Sequence, residues 1–253
     1  MSSGMDRVVA VLSVALANIR QRYATMSGGL IWTVLRPLLL AGIFTVVFGG
    51  IFGGRSSYVV WMLSGFIPWI FTDEAVRSGA RTYLSQSSLL RSHQSHPELL
   101  AAISAAEGAI LLGAGTGAVW LVYLAGVRPL SASDLLIPLA VFVAFLTIWG
   151  AVLLAALLVT VIRDLEPLIE PVMTVVFWSA PVVYRPEVLP VRMRVFLEWW
   201  PPAAWARIWQ ALVGEGAMPV LTDIAVALGT AAVLLLSGLL LTRWRVALIT
   251  DRV

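Results

Sequence analysis

The chain has 253 residues, 60% of them hydrophobic and 12% charged, with a mean hydropathy of +0.92. A soluble globular domain is about 45–50% apolar and about 25% charged, so the composition describes an integral membrane protein with several spans. The formal charge is +3, and all 17 basic residues are arginines scattered at the ends of apolar runs; this is the pattern of membrane topology, and no basic stripe for nucleic acid exists. The absence of cysteine excludes disulfides, thiolate metal sites and a cysteine nucleophile. The absence of lysine excludes a P-loop and Schiff-base catalysis.

In chain order, "VVAVLSVALANI" at 8–19 has the apolar character of a signal-peptide h-region, but Arg7 is offset by Asp6. Val8, Val9, Leu12, Leu16, Ile19 and Tyr23 fall on one helical arc of about 100°, with Ser13, Asn18, Arg20 and Gln21 outside it. Residues 6–26 are therefore read as an amphipathic helix in the cytoplasmic interface. Six runs then approach or exceed the roughly 20 residues that cross a hydrocarbon core of about 30 Å. They are 30–52, 58–80, 99–125, 135–162, 167–183 and 220–241. The second is strictly apolar only to Phe71 and crosses only if its helix continues past Asp73 and Glu74.

The polar features between and within these runs carry alternative readings. Arg36, followed by Pro37, either snorkels to inner-leaflet phosphates or faces a pore. Asp73, Glu74 and Glu107 are carboxylates near membrane depth, functional candidates unless they pair with Arg77 or Arg81. "LLRSHQSHPELL" at 89–100 reads as a short cytoplasmic helix exposed for a partner. Its His93 and His96 lack a nearby third ligand, so no metal is expected. Small residues in "GAILLGAGTGA", 108–118, predict close helix packing. Asp164, Glu166 and Glu170 beside Arg163 read as a loop and first helical turn favoured by the dipole, with Pro167 starting the helix; a catalytic cluster is the poorer reading. In 185–216, Pro201-Pro202 predicts two short helical pieces dipping into the outer leaflet, with Trp205 and Trp209 on one face of the second at headgroup depth.

Six crossings put both termini on one side. With the termini inside, arginines 7, 20, 22, 36, 77, 81, 91, 163, 243, 245 and 252 are inner, and 55, 128, 185, 192, 194 and 207 outer; 11 against 6 places the termini in the cytoplasm. The expected fold is one all-α integral membrane domain, 1–253. It has six transmembrane helices, an N-terminal amphipathic interfacial helix, and a pair of short re-entrant outer-leaflet helices between helices 5 and 6.

Three stretches carry a family resemblance over nearly the whole chain, in order. "RYATMSGGLIWTVLRPLLLAGIFTVVFGGIF" resembles the RY…SxLGxLW…PLL…TVVF opening of permeases of ABC type-2 transporters, closest to the branch exporting O-antigen, capsule, teichoic acid and galactan. "YVVWMLSGFIPWIFTDEAVRSGARTYLSQSSLLR" resembles that family's second span, and "VIRDLEPLIEPVMTVVFWSAPVVYRPEVLP" its FRDL…SPIxY…P element. The match departs at "LRSHQSHPELLA", which stands where the family has an "RKVYFPREILP"-like segment with an aromatic and more charge.

The resemblance implies an N-terminal helix beside an ATPase, a coupling helix after the second span and outer gate helices after the fifth. ATP and Mg would be bound by a separate subunit, with no cofactor and no catalytic residue in this chain. The expected protein is a multi-pass permease of the bacterial inner membrane, paired with a second copy of itself and two ATP-binding subunits. It would export a lipid-linked polysaccharide or polyol-phosphate polymer. Trp32, Arg36, Phe44, Phe48, Trp61, Trp69, Phe177, Trp178 and Tyr184 are the expected substrate path, aromatic faces suiting a sliding polymer. Trp199, Trp200, Trp205 and Trp209 belong to the gate; Arg20, Arg22, Leu90, Arg91, His93, His96 and Pro97 to ATPase coupling. Two alternatives stay open: a permease for a drug or lipid, and a membrane enzyme acting on lipid-linked sugars. The second would need a convergent set of acids, whereas the acids here are dispersed.

Overall fold

The computed structural model describes residues 4–24, 56–91 and 96–245, together with Ile31, Trp32, Leu35, Leu39, Ile43 and Val46 of the segment between the first two ranges. Those six residues are helical, and the rest of the expected first span lies outside the described residues, as do Arg36, Phe44, Phe48 and His93. All regular elements described are helices. They are α1 (Gly4–Ala24), α2 (Ser56–Gly79), α3 (Thr82–Ser85), α4 (Ser87–Arg91), α5 (Pro97–Gly126), α6 (Ile137–Val161), α7 (Ile169–Ser179), α8 (Val191–Trp199), α9 (Pro201–Trp209) and α10 (Leu221–Trp244). Turns of 3₁₀-helix at Ala132–Leu136, Arg163–Leu168 and Pro186–Val188, and of π-helix at Gln210–Glu215, join them.

Four helices among the described residues are long and apolar enough to cross a membrane: Tyr58–Gly79, Pro97–Gly126, Ala132–Val161 and Leu221–Trp244. Each reads as its composition requires. Pro97 and Pro138 sit in the first turn of α5 and α6, where a missing N–H costs nothing. Pro68 lies inside α2, and the Thr72 hydroxyl donates to its carbonyl at 2.9 Å. α2 runs past Asp73 and Glu74 to Gly79.

Small residues set the helix spacings. A Cβ on Gly150 of α6 would collide with the backbone of Leu234 and Leu235 of α10, and Gly238 of α10 faces Leu153 and the Gly150 carbonyl. Gly108 and Gly115 of α5 seat Ala75 and Phe71 of α2 in the same way. Close backbone approach lets dispersion hold helices together where lipid offers no hydrophobic drive.

The expected fifth run, 167–183, folds differently from the long helices. Only Ile169–Ser179 is α-helix, and Ala180, Val182 and Val183 are irregular yet buried. Its start is fixed at one end of α2, where Glu170 pairs with Arg77 at 2.9 Å. Its finish is fixed at the other end of α2, where the Tyr58 hydroxyl donates to the Val183 carbonyl. Segment 170–183 therefore runs alongside α2 from end to end. Buried Gln210 donates to the Pro181 carbonyl at 2.9 Å, satisfying one group that the interrupted helix frees.

α1 packs by its C-terminal half, with Ala15, Ile19 and Tyr23 buried, while Val8, Val9, Leu12 and Leu16 of the expected apolar arc are exposed. The inward face of that half lies against α5.

Candidate functional site

The charged side chains gather at the two ends of the helix bundle and leave an apolar slab between. At the α1 end, Glu107 of α5 accepts hydrogen bonds from Asn18 Nδ2 at 2.6 Å and Arg22 Nη2 at 3.1 Å. Arg22 also reaches Glu74 of α2 at 3.7 Å. Asn18 and Arg22 are one turn apart and share a helical face, so α1 grips two long helices through one cation and one amide. Arg77 joins Asp73, four residues before it, at 2.8 Å and Glu170 of α7 at 2.9 Å. Arg81 holds Glu166 at 2.8 Å, and Arg243 of α10 holds Glu98 of α5 at 3.2 Å. The Trp149 indole of α6 donates to the Glu98 carbonyl at 3.2 Å.

This network answers two questions left by the sequence. Asp73 pairs with Arg77, whereas Glu74 and Glu107 pair with Arg22, a partner that sequence reasoning assigned only to a docking surface. Glu166 and Glu170 are committed to arginines of α2 and its C-terminal extension. Among the described residues, no group of His, Cys, Asp and Glu could hold a metal ion.

The expected coupling residues divide by burial. Leu90 is buried and anchors α4, while Arg91 beside it is exposed. His96 is exposed immediately before Pro97, which is buried at the first position of α5. Arg20 is exposed on α1. Below these, Tyr83 of α3 is fully buried, and that burial pushes its phenol pKa up. Short α3 and α4 are thus pinned by one large side chain each, Tyr83 and Leu90, and buried Thr82 of α3 shares a hydrogen bond with Ser104 of α5 at 2.7 Å.

At the opposite end, α8 and α9 form the two short pieces predicted from Pro201-Pro202, meeting at Trp200. Trp205 and Trp209 share a face and contact edge-to-face at 5.7 Å between centroids. They point into the core, however: Trp209 is 0% exposed and Trp205 8%. A helix that short buries its largest surface against the bundle. The outward aromatics are Phe196 and Trp199, the latter 67% exposed. Trp200 stacks on Phe196 at 5.3 Å and donates to Ser179 Oγ at 2.9 Å, tying the pair to the end of α7.

Two arginines clamp this end. Arg207 donates to Asp223 of α10 at 2.6 Å and to the Leu197 carbonyl at 2.9 Å, so one guanidinium joins α9, the C-terminus of α8 and the start of α10. Arg128 forks onto Asp134, at 2.5 and 3.1 Å, and donates to the Leu212 and Val213 carbonyls at 2.8 and 3.1 Å. The π-turn it caps ends at Gly216, whose φ of +64° and contact with the Arg128 guanidinium both require glycine. Sequence reasoning did not single out either pair; six residues of separation flanking a turn is the signal for Arg128 and Asp134, and Arg207–Asp223 had none.

Between the ends, Phe177 of α7 contacts Phe66 at 6.0 Å, Trp69 at 5.8 Å and Trp178 at 5.2 Å. At the Tyr58 end of α2, Trp61 stacks obliquely with Tyr58 at 6.0 Å, beneath the Arg185 guanidinium at 5.5 Å. The Tyr184 hydroxyl donates to the Trp178 carbonyl at 3.4 Å. Five expected path residues, Trp61, Trp69, Phe177, Trp178 and Tyr184, are therefore brought to the α2–α7 seam. Trp178 is exposed there, whereas Trp61 and Trp69 are buried, and Trp32 is exposed on its own helix.

Residues 10–208 match the model of the ABC-2 type transporter family, more than half of the chain. The chain belongs to that family. Two curated relatives of this transporter, both named O-antigen export system permease protein RfbA and both from Klebsiella pneumoniae, are 22% and 20% identical to it over 212 residues. Each comparison covers 82% of this chain and 82% of the relative. The family match runs from within α1 to within α9, and so takes in the whole seam; the π-turn capped by Arg128 and all of α10 lie beyond it. This ABC-2 type transporter is a multi-pass membrane protein, and its role in the family is that of a permease, a transport subunit.

Proposed function

We propose that the chain is the permease of an ATP-driven exporter that moves a polysaccharide, carried on a lipid, out of the cytoplasm of a bacterial cell. Membership of the ABC-2 type transporter family carries the reading, and the O-antigen permease relatives support its glycan branch. The working unit is two copies of this chain with two ATP-binding subunits, which hold the ATP and Mg. The chain crosses the inner membrane six times: the four long helices, the 30–52 run and the 167–183 segment that follows α2 end to end. Both termini are cytoplasmic, in line with the arginine asymmetry.

The α1 end is then the cytoplasmic face. Closure of the ATP-binding subunits presses on α1 through Arg20 and Arg22, and on the 85–97 segment through Leu90, Arg91, His93, His96 and Pro97. Arg22 passes movement of α1 to α2 and α5 through Glu74 and Glu107. At the outer end, α8 and α9 form a short re-entrant pair that gates the path, with Trp199 outward, Trp200 tied to the end of α7, and Trp205 and Trp209 as its internal wedge. The path runs between two copies along the α2–α7 seam and the first span. Trp32, Arg36, Phe44, Phe48, Trp61, Trp69, Phe177, Trp178 and Tyr184 face or back it, and broad aromatic faces let sugar rings slide without fixed register.

The test is affinity purification of the tagged full chain from its host in mild detergent, with mass spectrometry of its stoichiometric partners. Recovery of a P-loop ATPase at equal stoichiometry, lost on replacing Arg91, His93 and His96 together, is the expected result. A chain that purifies without any nucleotide-binding protein under mild cross-linking sinks the reading.

A further inference from the structure

α1 is held to the bundle at one end only. Its C-terminal half is packed and ion-paired through Arg22 and Asn18, while its N-terminal half overlies a groove of about 620 Å3 walled by α5 and α6. The walls are apolar throughout: Ala102, Ala106 and Ala109 on α5 face Val141, Phe145 and Trp149 on α6, and Val8 and Leu12 of α1 close the third side. From Leu99 to Gly113 the groove follows α5 for about 21 Å at 1.5 Å per residue. One leaflet of hydrocarbon is about 15 Å deep, so the slot accepts an acyl chain lengthwise.

Among the described residues, the only charged one lining it is Arg7. Arginines 22, 77, 81, 128, 207 and 243 each have a carboxylate, whereas Arg7 is exposed and forms no ion pair among the described residues. A dry slot of acyl length with one uncommitted guanidinium matches an amphiphile that has a hydrocarbon tail and an anionic head.

We propose that this groove binds one anionic phospholipid of the membrane in which the chain sits, its acyl chain between α5 and α6 and its phosphate on Arg7. The lipid acts as a shim under α1. It fills the space that the helix's own side chains leave, and it fixes the angle at which α1 stands off the bundle. The occupant requires only that the chain lie in a bilayer, so the proposal stands apart from the identity of the exported substrate.

The experiment is native mass spectrometry of the full chain, with the subunits that co-purify, after delipidation and titration with an equimolar mixture of dioleoyl-phosphatidylglycerol and dioleoyl-phosphatidylcholine. One retained lipid per chain is expected, with phosphatidylglycerol preferred about five-fold, the discrimination of one basic residue near a lipid phosphate. Arg7→Gln keeps a retained lipid and loses the preference. Gly113→Leu, whose Cβ meets only ordinary contact with Val141 at 3.6 Å, fills the slot and loses the lipid itself. Arg7→Gln is at an exposed position and decides the matter alone if Gly113→Leu does not fold. Equal retention of the two lipids by the wild type overturns the proposal, as does an Arg7→Gln chain with undiminished preference. Retention of no lipid overturns it too and assigns the groove to protein, either a second copy or the 25–55 segment.

Discussion

The two ends of the bundle hold their charges in opposite ways. At the end away from α1, Arg128–Asp134 and Arg207–Asp223 are largely buried, and each guanidinium also satisfies backbone carbonyls of a neighbouring turn. At the α1 end, Arg22–Glu74, Arg81–Glu166 and Arg243–Glu98 are single contacts with at least one partner well exposed. A buried, multiply bonded pair has one geometry, and losing a partner strands a charge. A half-exposed single contact has water as an alternative partner and can be exchanged at little cost. The first arrangement suits a pivot, and the second a surface that must shift against the rest.

The sharpest way to break that contrast is at the pivot. Asp134→Ala leaves the Arg128 side chain, 9% exposed, without its carboxylate. The expected loss is about 3–5 kcal/mol, read by thermal unfolding of the purified chain through its tryptophan fluorescence. A loss below about 1 kcal/mol would mean that the end is held by packing and not by the pair. The replacement Arg128→Met with Asp134→Leu should recover much of the deficit, since no buried charge then remains.

A second, smaller effect separates packing from charge. Gly150→Ala drives a methyl into the backbone of α10 at Leu234 and Leu235, where nothing can yield, and should cost about 1–3 kcal/mol. Gly126→Ala, at a position with nothing within 4 Å, should change stability by less than about 0.5 kcal/mol. If the two variants melt alike, α6 and α10 are not in backbone contact in the membrane.

The contrast also explains what the sequence made legible. The long spans were, because about 20 apolar residues in lipid can only be helix. The α8–α9 break was, because two prolines cannot continue a helix. Continuation of α2 past Asp73 hung on a partner, and Arg77 one turn on supplied it. The short α7 could have been read from Pro181, which pushes the preceding Ala180 out of the helical region; what the sequence did not show is the tertiary part, Gln210 and Tyr58 taking over the Pro181 and Val183 carbonyls. The inward turn of Trp205 and Trp209 was not legible either, since i, i+4 spacing assigns a shared face and not the direction in which it points. Of the charged ends, the short-range pair Asp73–Arg77 could be read, while Arg22 with Glu107, 85 residues apart, awaited the fold.

A small expected change in stability, at the α1 end, carries the most functional information. Arg22→Gln removes the cation that, among the described residues, joins α1 to both α2 and α5, but the side chain is 38% exposed and its lost contacts are replaced by water. The expected destabilisation is at most about 1 kcal/mol. Asn18 still donates to Glu107, so α1 should stay in place while its link to Glu74 is cut. If α1 relays motion, ATP hydrolysis by the assembled transporter should continue while export falls by a larger factor than hydrolysis, measured on the same reconstituted vesicles. If α1 is only an anchor, the two rates fall together or not at all. Arg243→Gln is the matched control: it too removes a half-exposed ion pair, with Glu98, but it joins α10 to α5 and leaves α1 untouched. An equal separation of export from hydrolysis in both variants would mean that any loosening of this end uncouples the transporter, and the particular grip of Arg22 on Glu74 and Glu107 would lose its claim.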